Sequence, residues 1–203
     1  MKTTNKLLTL IIIFSSLFSL QSQNKFSKRK IENLKEEVSQ LVEDDKKMTQ
    51  VMIDKVFSFG ELGFQEFETS KYLGKILEEN GFDVEYQISG IPTSWLATWS
   101  NGEGGPTIAL GSDFDGVPST SQYPGVAYEK PVVEGAPGHG EGHNIGLPIV
   151  ITSAIAIKKI MIENNINGKL VLWPGVAEEI LGAKAWYVRD GYFDNVDMCI
   201  FTH

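Results

Sequence analysis

The sequence predicts an α/β fold, a sandwich built on a mixed, largely parallel sheet, and three observations carry that expectation. From residue 95 onward, short apolar runs alternate with longer stretches of helical periodicity. Acids and histidines suited to chemistry follow those runs directly: Asp113 and Asp115, Glu178 and Glu179, then His203. Ligands of open α/β sheets gather at such strand ends. Composition is that of a globular protein, with 42% hydrophobic and 22% charged residues in 203.

Met1 to Gln23 places Lys2 and Lys6 before fourteen uncharged residues, Leu7 to Leu20, and closes on the small polar set Gln21, Ser22, Gln23. This is the pattern of a secretory signal peptide over residues 1–23, too short for a transmembrane anchor. Export to a periplasmic or extracellular compartment is the expectation, without a stable membrane anchor. Loss of both lysines would take the net charge from −8 to −10.

Ile31, Leu34, Val38 and Leu41 recur at helical spacing, as do Met48, Val51, Met52, Val56 and Phe59. Gly60 and Gly63 interrupt, and Glu68 to Asn80 predicts a third amphipathic helix stopped by Gly81. Phe82, Val84, Tyr86 and Ile88 alternate with polar residues as a half-buried strand would. Trp95 to Ser100 and Thr107 to Gly111 read as strands joined by a hairpin-like connection through Asn101-Gly-Glu-Gly-Gly-Pro106. Ser119 to Asn144 has no usable periodicity, and loops of that length in compact domains are usually functional or disordered. A helix is expected from Pro148 to about Asn164, a strand over Lys169 to Trp173, a helix over Ile180 to Asp190, and a last strand over Val196 to Phe201.

The acidic balance, pI about 4.9, supplies no basic footprint for a phosphate backbone, so nucleic acid is not an expected partner. The single cysteine, Cys199, has no intramolecular partner and sits in an apolar run, where a buried structural thiol is expected.

Three clusters carry candidate chemistry. In Gly138-His-Gly-Glu-Gly-His-Asn144, His139, Glu141 and His143 alternate with glycines, so extended backbone would turn all three to one face. Imidazole and carboxylate donors suit zinc, manganese or cobalt; the alternative is a solvated surface loop. Glu178 and Glu179 follow an apolar strand, where acids can simply favour a helix amino terminus, or divide the work of binding a cation and accepting a proton. Asp113 and Asp115 share one side of an extended backbone and could orient a histidine ligand or touch the cation. No phosphate loop, dinucleotide fingerprint or serine elbow accompanies them, which leaves metal-assisted hydrolysis.

From Met48 to His203 the chain resembles the zinc amidohydrolases and metallopeptidases that include aminoacylase, carboxypeptidase G, plant auxin-conjugate hydrolases and aminobenzoyl-glutamate hydrolase. The resemblance rests on five ordered segments: Glu61-Leu-Gly-Phe64 with Glu66 and Thr69-Ser70; Ile108 to Pro118; Glu134 to Asn144; Trp173-Pro-Gly-Val-Ala-Glu-Glu179 with Gly182-Ala-Lys184; and Gly191 to Asp197 leading to His203. The third looks most like the aminobenzoyl-glutamate hydrolase branch. The resemblance implies a zinc-exopeptidase-like three-layer sandwich and one or two divalent metal ions. It implies Glu178 as general base, Glu179, His143 and His203 as metal ligands, and Asp115 as a support of the site. Asp113 stands where other branches place a ligand histidine.

Two departures follow. Glu141 replaces a cysteine that stands two residues before the ligand histidine in the auxin-conjugate-like branches, which shifts preference toward harder ions while leaving it a metal ligand. Residues 24–203 resemble only the amino-terminal part of a catalytic domain, before the family's lid or dimerisation domain and its last ligand histidine; in a full-length form that domain would supply a homodimer contact. The expected activity is hydrolysis of an amide between an acyl or aryl group and an amino acid, on an N-acyl amino acid, aminobenzoyl-glutamate-like or dipeptide substrate, with His139, Asp113 and Asp115 supporting the metal. The alternative is an inactive fragment or a non-catalytic exported metal- or peptide-binding protein.

Overall fold

A computed structural model describes residues 26–203. The signal peptide expected over 1–23 lies outside the described residues. The first helix, α1 (Lys28–Asp44), contains the boundary between two compact units, and everything below concerns the second, Glu37–His203. Its helices are α2 (Lys46–Phe59), α3 (Phe67–Glu79), α4 (His143–Glu163) and the short α5 (Lys184–Arg189). Its strands are β1 (Asp83–Tyr86), β2 (Trp95–Asn101), β3 (Thr107–Asp113), β4 (Gly168–Gly175) and β5 (Met198–Thr202).

The five strands form one mixed sheet in the order β1-β2-β4-β3-β5, with flanking helices. β3 pairs in parallel with both β4 and β5, while β1 and β2 add an antiparallel wing. In β4, Leu170 and Leu172 face one side and Val171 and Trp173 the other, and all four are buried. Strands covered on both faces read as continuous apolar runs. Helix α4 packs on β3 and on α2 and buries Leu147, Ile151 and Ala154 completely. It is long and apolar enough to cross a membrane, but half of its most apolar stretch is buried in the protein, as in a core helix.

Several expectations are corrected. The turn after β2 does not close a hairpin, because β4 inserts between β2 and β3. A strand buried on both faces takes the middle of the sheet, where both edges satisfy its backbone groups. The strand expected from Phe82 to Ile88 is only four residues long, since Ile88 leaves it for a 3₁₀ turn and is buried there. Helix α4 begins at His143 rather than Pro148; five residues into a helix, proline forfeits one bond near the end where amides already lack partners. The helix expected over Ile180 to Asp190 is broken: Leu181 and Ala183 have φ of 58° and 49°, and Gly182 N–H returns to the Ala177 carbonyl. Cys199 is exposed rather than buried, because among the described residues β5 is an edge strand and little covers it at that position.

Candidate metal centre

Parallel pairing brings three strand ends to one edge of the sheet. Asp113 stands opposite Gly175 of β4, and Ser112 opposite Thr202 of β5. The chain leaving β3 therefore carries Asp115, the chain leaving β4 carries Glu178 and Glu179 in a 3₁₀ turn, and β5 delivers His203. The amino terminus of α4 meets the same edge, adding Glu141 and His143. Gly146 allows that approach: a Cβ there would lie 1.8 Å from Ser112 Oγ.

His143 is the centre of the arrangement. Its Nδ1 donates to the Asp115 carbonyl at 3.0 Å and lies 3.4 Å from Asp115 Oδ1, which orients the ring and leaves Nε2 free as a donor to an ion. That Nε2 is 3.4 Å from Nε2 of His203 and 4.0 Å from Glu141 Oε2. Glu179 Oε1 lies 3.9 Å from His143 Nδ1, and the Glu179 N–H donates to Asp115 Oδ2 at 3.0 Å. Two groups of ligand atoms result, each lying within 4.8 Å of one another: Asp113, His143, Glu178 and His203, and Glu141, His143, Glu178 and Glu179.

The donor set fits a divalent cation. Two nitrogens on one tetrahedral ion with bonds of about 2.0–2.1 Å stand about 3.3–3.4 Å apart, the separation observed between the two imidazoles. Glu179 Oε1 and Asp115 Oδ1 are buried without a hydrogen-bond partner, a costly state that a cation would relieve.

Burial alone would lower the His143 pKa, but the Asp115 side chain and carbonyl, with Asp113 behind them, raise it to about 9. Burial also pushes the Glu179 carboxyl up, and the neighbouring Glu141 charge adds to this. The site is thus a crowd of negative groups organised around one imidazole.

Other residues go elsewhere. His139 does not join either donor group: its Nε2 meets the Val56 carbonyl at 3.1 Å, and burial lowers its pKa. The even spacing of 139, 141 and 143 therefore does not turn all three side chains to one face, because the helix begins at His143 and ends the extended geometry. Asp113, fully buried, lies 2.9 and 3.0 Å from Lys184 Nζ through its two oxygens, a pairing that competes with a cation for the same carboxylate. Burial raises its pKa against the pull of that lysine. Glu178 falls in both donor groups and Glu179 in one, so proximity alone does not divide base from ligand between them.

Sequence reasoning gave no role to Glu66, although the structure buries it completely beneath the Glu178 turn. Its place in a motif with Glu61 and Thr69 was the available signal.

These features define a candidate cation-binding edge of an α/β sheet. No family model matches the chain. It is 31% identical over 166 residues to a component of the p-aminobenzoyl-glutamate hydrolase of Escherichia coli, a match covering 82% of this chain and 34% of that protein. It is 32% identical over 139 residues to hippurate hydrolase of Campylobacter jejuni, covering 68% and 33%. A solved dinuclear metal-binding peptidase of Bacillus subtilis shares the fold, with a TM-score of 0.59 at 22% identity over 78% of this chain and 44% of that one. The chain belongs to the amidohydrolase and metallopeptidase family of these relatives, and spans about a third of the length of the curated proteins it matches.

Proposed function

We propose that this chain forms the amino-terminal, metal-binding part of an exported amidohydrolase that cleaves the amide between an acyl or aryl group and an amino acid. One observation carries the reading: at the edge where three parallel strands end, His143 and Glu178 are shared by two groups of ligand atoms, one completed by Asp113 and His203 and the other by Glu141 and Glu179. The names of the relatives are the reason to try aminobenzoyl-glutamate and hippurate as substrates, beside dipeptides.

Glu141, His143, Glu179 and His203 would hold the cation, zinc, manganese or cobalt, singly or as a pair. When bound, it supplies Lewis acidity to a carbonyl oxygen and to water. Asp115 fixes the imidazole of His143 through its carbonyl and the backbone of Glu179 through its carboxylate. Glu178, next along the turn, takes the proton from the attacking water and returns it to the leaving nitrogen. A full-length form would add the remaining substrate contacts and a homodimer interface.

The test is Glu178→Ala in the full-length protein, assayed on N-acyl amino acids, aminobenzoyl-glutamate and dipeptides. Metal content should persist while hydrolysis falls by at least about 100-fold. Undiminished turnover would remove Glu178 from the mechanism, and a wild-type protein that binds metal but cleaves none of the panel would favour a binding protein.

A further inference from the structure

The segment Glu61-Leu-Gly-Phe64 with Glu66 takes no part in the cation site, yet it holds a completely buried carboxylate that the mechanism leaves unused. Glu66 has no exposed surface, and no cation pairs with it among the described residues. Glutamate is almost never fully buried without a partner. Its partners are two neutral donors: Thr93 Oγ1 donates to Oε2 at 2.8 Å, and the Ala177 N–H donates to Oε1 at 2.9 Å. Ala177 is the residue before Glu178, and it holds the left-handed conformation, φ 53° and ψ 44°. That conformation is disfavoured for any residue with a Cβ. The surrounding structure must therefore impose it, and it turns the chain leaving β4 so that Glu178 and Glu179 reach the site.

The rest of the segment is fitted between the two strand exits. Glu61 accepts the Gly116 N–H through its carbonyl at 2.6 Å, and the Glu68 and Thr69 N–H groups through its carboxylate at 2.9 Å each. Those three hydrogen bonds anchor the start of α3 beside the chain leaving β3. Gly63 lies so close that a Cβ would stand 3.0 Å from Ala177 and 3.4 Å from Asp115 Oδ2. The segment thus touches both turns that carry site residues.

We propose that Glu66 is a positioning residue: by accepting the Ala177 N–H it fixes the turn that aims Glu178 and Glu179 at the cation. The proposal deepens the amidohydrolase reading and rests on it. It assigns Glu66 no contact with substrate or metal.

Glu66→Gln, Glu66→Met and Thr93→Val separate positioning from packing, with Co2+ as the probe. Glutamine keeps an oxygen for Ala177 and can donate its amide to Thr93; methionine fills the space without an acceptor. For the chain, Co2+ affinity by calorimetry and the visible spectrum of bound Co2+ are read beside thermal unfolding. The expected result is a dissociation constant within threefold of wild type for Glu66→Gln, at least tenfold weaker for Glu66→Met with a changed spectrum, and a smaller spectral change for Thr93→Val. In the full-length protein, kcat for Glu66→Met should fall at least 100-fold, with KM within threefold and kcat restored by glutamine. If Glu66→Met and wild type bind Co2+ with the same affinity and spectrum, the proposal is overturned while the amidohydrolase reading stands. Should Glu66→Met not fold, an unchanged Co2+ spectrum in Thr93→Val overturns it equally. Wild type that binds no Co2+ defeats the amidohydrolase reading itself, independently of any variant.

Discussion

Strands β4 and β5 lie on either side of β3, run in the same direction and each deliver candidate ligands to the same edge, yet they are built differently. β4 is buried from Leu170 to Trp173 on both faces, and the turn after it is held by Glu66 and Asp115. β5 pairs on one side only, exposes Met198, Cys199 and Ile200, and ends at the exposed His203. Within the described residues, the site is therefore more enclosed on the β4 flank than on the β5 flank. The β4 turn and His143 at the start of α4 are the more tightly held, whereas β5 is fixed by its pairing with β3, by the Ser112 hydroxyl on the Thr202 carbonyl and by Phe201 against Trp173, with His203 exposed at its end. Regions with few buried contacts are those that open at low free-energy cost.

Truncations on the two strands should separate them most. Leu172→Ala on β4 removes a completely buried side chain and should destabilise the chain by about 2–5 kcal/mol in chemical denaturation. Ile200→Ala on β5 should cost no more than about 0.5 kcal/mol. Equal losses would contradict the contrast. On the β4 flank, Asp115→Asn weakens the acceptor that holds the Glu179 N–H and places an amide beside His143, and should reduce Co2+ affinity by about 10–100-fold. Calorimetric titration reads that loss directly.

A pH effect should be subtler. In chelator-treated protein the His143 pKa is raised from 6.5 to about 9, so the folded state holds a proton that the unfolded state releases. The resulting stabilisation is complete below pH 6.5 and is lost as pH rises through about 9. Thermal midpoints of the metal-free chain should fall over that window, relative to His143→Gln measured alongside. Identical pH profiles for the two proteins would contradict the assignment.

Local pattern made much of this legible. The periodicity of α1 to α3 and the apolar runs of β2 to β5 are properties of neighbouring residues, and the acids and histidine after β3, β4 and β5 could be read as strand-end groups before their mutual distances were known. What was not legible depends on residues far apart. Glu66 meets Ala177 across 111 positions, and nothing in its own neighbourhood announces that partner. The Val56 carbonyl that takes His139 belongs to α2, and the insertion of β4 depends on which strand needs both faces covered. Cys199 was misplaced because an apolar run reveals strand propensity but not whether the strand lies at the outside of the sheet.

That these strand ends form a divalent-cation site centred on His143 is tested most directly by titrating the chain with Co2+ beside His143→Ala. At least one ion should bind per wild-type chain, with affinity reduced more than about 100-fold in the variant. Wild-type protein that binds no Co2+, or a variant that binds it equally well, would contradict a site centred on that imidazole.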